Sequence, residues 1–285
     1  MLSRYLYITF ILGTIIFLSL AHFTENHFYN YIAAPLFIGL VVTYILSPQI
    51  DWWYYQRNPP TIDDSTKSFL NKRLPFYRAL DEAGKQRFEQ RMAMWFPAHE
   101  FVPMQIKSLP EEIQTGLAAS AVQLTFGQAD YLMDKFEKVI IYPSSFLSPA
   151  HPQHMHSSEI HEEDGAMIFS ARHLMHGFVE PKSYYHTALH ECIQVWIKMN
   201  PKRDYPILEE DIWDKLEEIS HFKKAGVLEW IGLPEVDARA VTICHFLVFS
   251  ERFQEVLPKL YKQIGELLNL NPLEVEQPIL YINQS

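Results

Sequence analysis

Two stretches near the N-terminus carry no charge and almost no polar spacing. Tyr5 to Ala21 and Tyr29 to Leu46 are each apolar over a length that spans a bilayer as a helix. Only the short segment 22–28, with Glu25 and Asn26 at its centre, divides them, so the pattern predicts a tight transmembrane hairpin over 1–46. Trp52, Trp53, Tyr54 and Tyr55 follow as an interfacial aromatic belt. Arg4 precedes the first span, the connecting loop has no Lys or Arg, and Arg57, Lys67, Lys72 and Arg73 follow the second. The basic residues therefore place both ends in the cytoplasm, on a multi-pass protein of the inner (cytoplasmic) membrane. The competing reading of the first span is a cleaved signal peptide ending near Leu18-Ser19-Leu20-Ala21.

Residues 47–73 read as a juxtamembrane linker, with Pro59-Pro60 unable to continue a helix. Helical spacing begins after Leu74. Pro75 to Phe96 places Phe76, Leu80, Phe88, Met92, Trp95 and Phe96 on one face, with Gly84 dividing it into two short helices. Ser108-Leu109-Pro110-Glu111 has the form of a capping box with Pro just inside a helix that runs to about Phe126. Lys138 to Tyr142 and Gly165 to Ser170 read as short strands. Tyr184–Lys198, Pro206–Lys224, Pro234–Phe253 and Leu257–Leu268 read as helices. Two short strands among many helices predict a mainly helical α+β domain over 74–285.

Composition narrows the function classes. Of 285 residues, 48% are hydrophobic and 20% charged, which suits a globular domain. The net charge of -10, with no basic run, argues against nucleic acid as a partner. Cys192 and Cys244 lie in apolar helical stretches and read as buried free thiols of a reducing compartment. The His-rich stretch from His151 to His161 reads as a polar surface loop, because its spacing lacks the regularity of a metal site.

The stretch that carries chemistry is Leu189-His190-Glu191-Cys192-Ile193-Gln194. It has the form of the zinc-peptidase helix H-E-x-x-H with Gln in place of the last ligand. Positions i and i+4 share one helix face, so His186, His190 and Gln194 would form a stripe of candidate ligands. Imidazole is a good zinc ligand and a carboxamide oxygen a poor one. Glu191 would be the general base for a metal-bound water. A third ligand would come from Glu235 or Asp237, whose ordinary role is acidic charge at a helix N-terminus.

The order and spacing of these motifs resemble the Mlc titration factor A family of zinc-dependent peptidases over residues 74–272. The resemblance rests on Leu74-Pro75 through Leu80, on Val139-Ile140-Ile141-Tyr142-Pro143, on the Leu189–Gln194 helix, on Glu235 to Val241, and on Pro258-Lys259-Leu260-Tyr261. It implies a zincin-like fold and a zinc peptidase in which His190, Gln194 and Asp237 bind the metal and Glu191 is catalytic. It also implies a peptide or protein substrate and, by analogy, a regulatory protein partner. Four residues depart from the family pattern at the site: Gln194 for His, Asp237 for Glu, Trp230 for Tyr and Ile197 for Asp. These departures set a second expectation beside the hydrolase. In it the chain is a catalytically inactive, membrane-tethered module that keeps the groove and binds a cytoplasmic protein.

Overall fold

The computed structural model describes residues 2–274, so the expected domain end at 285 lies outside the described residues. The chain forms two compact units that divide between Pro60 and Thr61.

The first unit is helical. α1 (Leu2–Thr24) and α2 (Phe28–Ile45) pack side by side, followed by α3 (Ser47–Arg57). Both α1 and α2 are long and apolar enough to cross a membrane. Their polarity is reversed relative to a water-soluble bundle. Leu12, Ile15, Ile16, Phe37 and Ile38 are exposed, while Ser3, Thr14 and Thr43 are buried. A buried hydroxyl needs a partner. Thr14 donates to the Phe10 carbonyl (2.7 Å), and Ser3 donates from Oγ and N to the Asp51 carboxylate (2.6 and 2.9 Å).

Within 47–73, which reads as a linker in the sequence, only 58–63 around Pro59-Pro60 is non-helical. α4 (Asp64–Arg73) belongs to the second unit, and its Leu70 is fully buried in that core with Ile62. Asp63 starts α4 by accepting from the Thr66 amide.

The second unit continues with α5 (Pro75–Ala79), α6 (Glu82–Ala98), β1 (Glu100–Pro103), α7 (Glu111–Leu124), β2 (Lys138–Tyr142), β3 (Ser158–His161) and β4 (Ala166–Ser170). The remainder is helical: α8 (Ala171–Val179), α9 (Thr187–Met199), α10 (Ile212–Ser220), α11 (Lys224–Ile231), α12 (Ala238–Val248), α13 (Ser250–Val256) and α14 (Pro258–Leu268). The mainly helical α+β class expected from the sequence is therefore observed.

The break between α5 and α6 falls at Leu80–Asp81, not at Gly84. Asp81 caps α6 by accepting from the Gly84 amide (2.7 Å). The expected capping box at Ser108 does not form: Pro110 occupies the cap position of α7 without a side-chain bond. The expected helix from Pro206 covers only α10, which stops where His221 turns left-handed. The long C-terminal helix divides at Phe249 into α12 and α13.

The sheet runs β1-β2-β4-β3, parallel except for the antiparallel β3–β4 pair. β2 and β4 match the strands read from the sequence; β1 and β3 are additions. The β3–β4 turn places Gly165 at φ 57°, and a side chain there would strike the Lys135 carbonyl. Helix α7 is buried from Thr115 to Leu124 and packs on α9, which packs in turn on α12 and β3. Arg91 secures the far end of α7: its guanidinium donates to the carbonyls of Thr125 (2.7 Å), Phe126 (3.2 Å) and Gln128 (2.7 Å). The fold thus sets α9 at the centre of the second unit, between helices and the edge of the sheet.

Candidate functional site

Helix α9 starts one turn later than the stripe of ligands requires. His186 is not helical; it caps α9, with Nδ1 accepting from the Leu189 amide (3.3 Å). Its ring packs edge-on against Phe178, away from His190's contacts. Burial holds it neutral, with the pKa pushed down to about 3. His186 therefore does not continue the helical stripe of His190 and Gln194; its Nδ1 is taken by the cap. This start is set by a close approach: Gly177 of α8 lies so near the Tyr185 carbonyl that a methyl group there would come within 2.5 Å.

His190 and Glu191 are buried and Gln194 is half-buried, and the three side chains meet. Gln194 Nε2 lies 2.9 Å from His190 Nε2 and 3.0 Å from Glu191 Oε2. The i+4 and i+3 spacings on one helix make both contacts reachable. An amide nitrogen only donates, so His190 Nε2 is the acceptor and the ring proton sits on Nδ1. Nδ1 then donates to the Tyr185 hydroxyl (2.7 Å). The Cys244 thiol of α12 reaches the His186 carbonyl, next to Tyr185, at 4.0 Å. On the other side, Ser158 of β3 donates to Glu191 Oε1 (2.6 Å). The network runs from Ser158 at the sheet edge through α9 to Tyr185.

Charge is expensive at this depth. Burial pushes the Glu191 carboxyl up to about 7; the Ser158 bond opposes the shift and nearby Glu159 adds to it. Burial pushes His190 down to about 4; Asp237 partly opposes this and His245 reinforces it. Both cysteines are free and buried, as expected.

Asp237 stands apart. It caps α12, with Oδ1 accepting from the Arg239 amide at 2.8 Å and from the Arg239 guanidinium at 3.5 Å. Glu235 is exposed before that helix. Trp230 donates from Nε1 to Thr187 Oγ1 (3.0 Å), joining α11 to the first turn of α9. Ile197 packs against the core.

Glu191 and Gln194 line a cleft of about 620 Å³ with Ile160, Glu163, Lys198 and Leu233. One wall is β3, the last strand of the sheet, whose outer edge has no strand partner among the described residues. The His-rich segment is not wholly a surface loop. His156 is fully buried, with Nε2 3.1 Å from Glu159 Oε2 and Nδ1 2.7 Å from the His154 carbonyl.

Ser158 and Tyr185 were not among the candidates read from the sequence. Tyr185 lies five residues before His190, next to the motif, and its spacing alone could have drawn notice. Ser158 had no such signal.

No curated protein matches the chain. The family described as glucose-regulated metallo-peptidase M90 matches residues 50–198, just over half of the chain. The match ends within α9, so it includes His190, Glu191 and Gln194 but not Asp237.

That family implies a metal, usually zinc, and the donor set here does not fit one. The single imidazole of the set has its Nε2 lone pair engaged by Gln194. The carboxylate of Asp237 is engaged by Arg239, and Gln194 offers a poor ligand. Among the described residues, no three His, Cys, Asp or Glu side chains are grouped to hold an ion. The scaffold and the family match nonetheless agree with the resemblance carried by the motifs, and the chain belongs to the glucose-regulated metallo-peptidase M90 family.

Proposed function

We propose that this M90 member is a polypeptide-binding module, tethered to the membrane by the α1–α2 hairpin with its second unit in the cytoplasm, and that it does not hydrolyse the chain it holds. The observation that carries the reading is the cleft beside β3. Its wall is an open strand edge, and its floor is the hydrogen-bonded pair Glu191 and Gln194.

An extended peptide can add to such an edge through main-chain hydrogen bonds, with alternate side chains entering the cleft. Ile160 and Leu233 supply apolar contact, and Glu163 and Lys198 supply polar contact. The basic residues Arg4 and Arg57, on either side of the spans, support the orientation. Exposed Leu and Ile side chains along both helices support the tether.

The test is binding of a library of extended peptides to the full chain in detergent. Peptides that bind should lose about tenfold in affinity when alternate backbone amides are N-methylated, the effect of about one hydrogen bond. If no peptide binds, the reading falls. If peptides are cleaved and cleavage stops in Glu191→Gln, the protein is a hydrolase and the reading also falls.

A further inference from the structure

We infer that the Gln194 amide group does the structural work that a metal ion and its bound water would do at this helix, so that the site is closed without metal. In the zinc arrangement that the H-E-x-x-H pattern specifies, the ion takes the Nε2 lone pair of the first His, and the Glu accepts from the metal-bound water. Here one NH₂ group meets both needs. One hydrogen goes to His190 Nε2 at 2.9 Å, against the ~2.0–2.1 Å of a zinc–nitrogen bond. The other goes to Glu191 Oε2 at 3.0 Å.

The rest of the network is consistent with that substitution. With Nε2 as acceptor, Nδ1 must carry the proton, and it has the Tyr185 hydroxyl at 2.7 Å to receive it. The second Glu191 oxygen is already taken by Ser158 at 2.6 Å. Gln194 therefore completes a span from Ser158 of β3 to Tyr185 and gives a buried carboxylate oxygen and a buried imidazole nitrogen their donor. Asp237, the third ligand that the resemblance implies, is not part of the span and is held by Arg239. A His at 194 could not replace the amide, because one ring nitrogen cannot donate two hydrogens. The choice of Gln is thus explained by chemistry rather than by loss alone. The inference concerns the same residues as the binding reading but does not require that a peptide binds.

The experiment uses the full chain purified in detergent, with zinc as the probe. Metal content is measured after equilibration with zinc and gel filtration, and thermal unfolding is followed with zinc, with chelator and with neither. Wild type should hold well under one zinc per chain, and its midpoint should not move. Gln194→Met keeps the length of the side chain and removes both donors. Its midpoint should fall by roughly 5–10 °C, and zinc should not restore it. The ring ¹⁵N spectrum of His190 should report the Nδ1–H tautomer in wild type. One zinc per wild-type chain, lost in His190→Ala, would overturn the inference even if Gln194→Met fails to fold. An unchanged midpoint in Gln194→Met, or an Nε2–H tautomer in wild type, would overturn it as well. A zinc-free wild type that binds no peptide would sink the binding reading alone.

Discussion

Helix α9 and the start of α12 each carry a carboxylate of the candidate site, and they hold it in opposite ways. On α9, Glu191 is buried and accepts from Ser158 and Gln194. At α12, Asp237 is part-exposed and serves its own helix through Arg239. One acid is kept at depth by a donor from β3 and one from its own helix, while the other has only local partners. A buried acid persists only where partners offset its desolvation, whereas a capping acid needs nothing beyond the next turn. The structural contribution of the two positions should therefore differ severalfold, and four measurements bear on that.

The largest effect should come from acid. His186, His190 and His245 have folded pKa values of about 3, 4 and 4, all below the ordinary value of 6.5. The fold binds fewer protons than the unfolded chain below that value. Stability is thus present above pH 6.5 and is lost as the pH falls toward 4, by several kcal/mol in total. Urea unfolding at pH 7.5, 6 and 5 checks this; a flat profile would mean that the region around α9 opens to water. Second, Gly177→Ala drives a methyl group into the Tyr185 carbonyl and should displace the start of α9 at a cost of about 3 kcal/mol. If the cost is a few tenths, the position of α9 does not depend on that approach.

Third, the sign reverses for Glu191. Its folded pKa of about 7 lies above the ordinary 4.5, so stability is fully present below 4.5 and is lost as the pH rises through 7. Wild type should therefore lose roughly 2–3 kcal/mol between pH 4.5 and pH 8 relative to Glu191→Gln, whose amide does not titrate. A difference that stays constant over that range would show that the two donors fully offset burial. Fourth, Asp237→Ala should cost only about 1 kcal/mol, the value of an N-cap. A loss as large as that of a buried network residue would erase the contrast between the two helices.

The contrast also shows where sequence reading reached and where it stopped. Strands β2 and β4 were legible because Val139, Ile141, Met167 and Phe169 are buried apolar residues in short runs. β3 was not, since Ser158-Glu159-Ile160-His161 offers one apolar side chain, and its pairing with β4 is what makes it a strand. The i, i+4 spacing placed Gln194 beside His190 correctly. It placed His186 on the same stripe only by assuming that the helix had already begun, and the tight passage at Gly177 decides otherwise. Asp237 is three residues from the turn that follows α11, and its acid could be read as ligand or cap. Only the Arg239 contacts in the structure distinguish the two.

The short β3 edge bears on self-association. An open strand invites a second copy of the chain to zip against it, the first step toward aggregates. Here the strand is only four residues long and is followed at once by Glu162 and Glu163 in its turn. So short an edge offers a second copy few main-chain hydrogen bonds, and Glu163 and the Lys198-paired Glu162 keep its end charged. A short strand with a charged end is thus a poor template for pairing between copies of the chain.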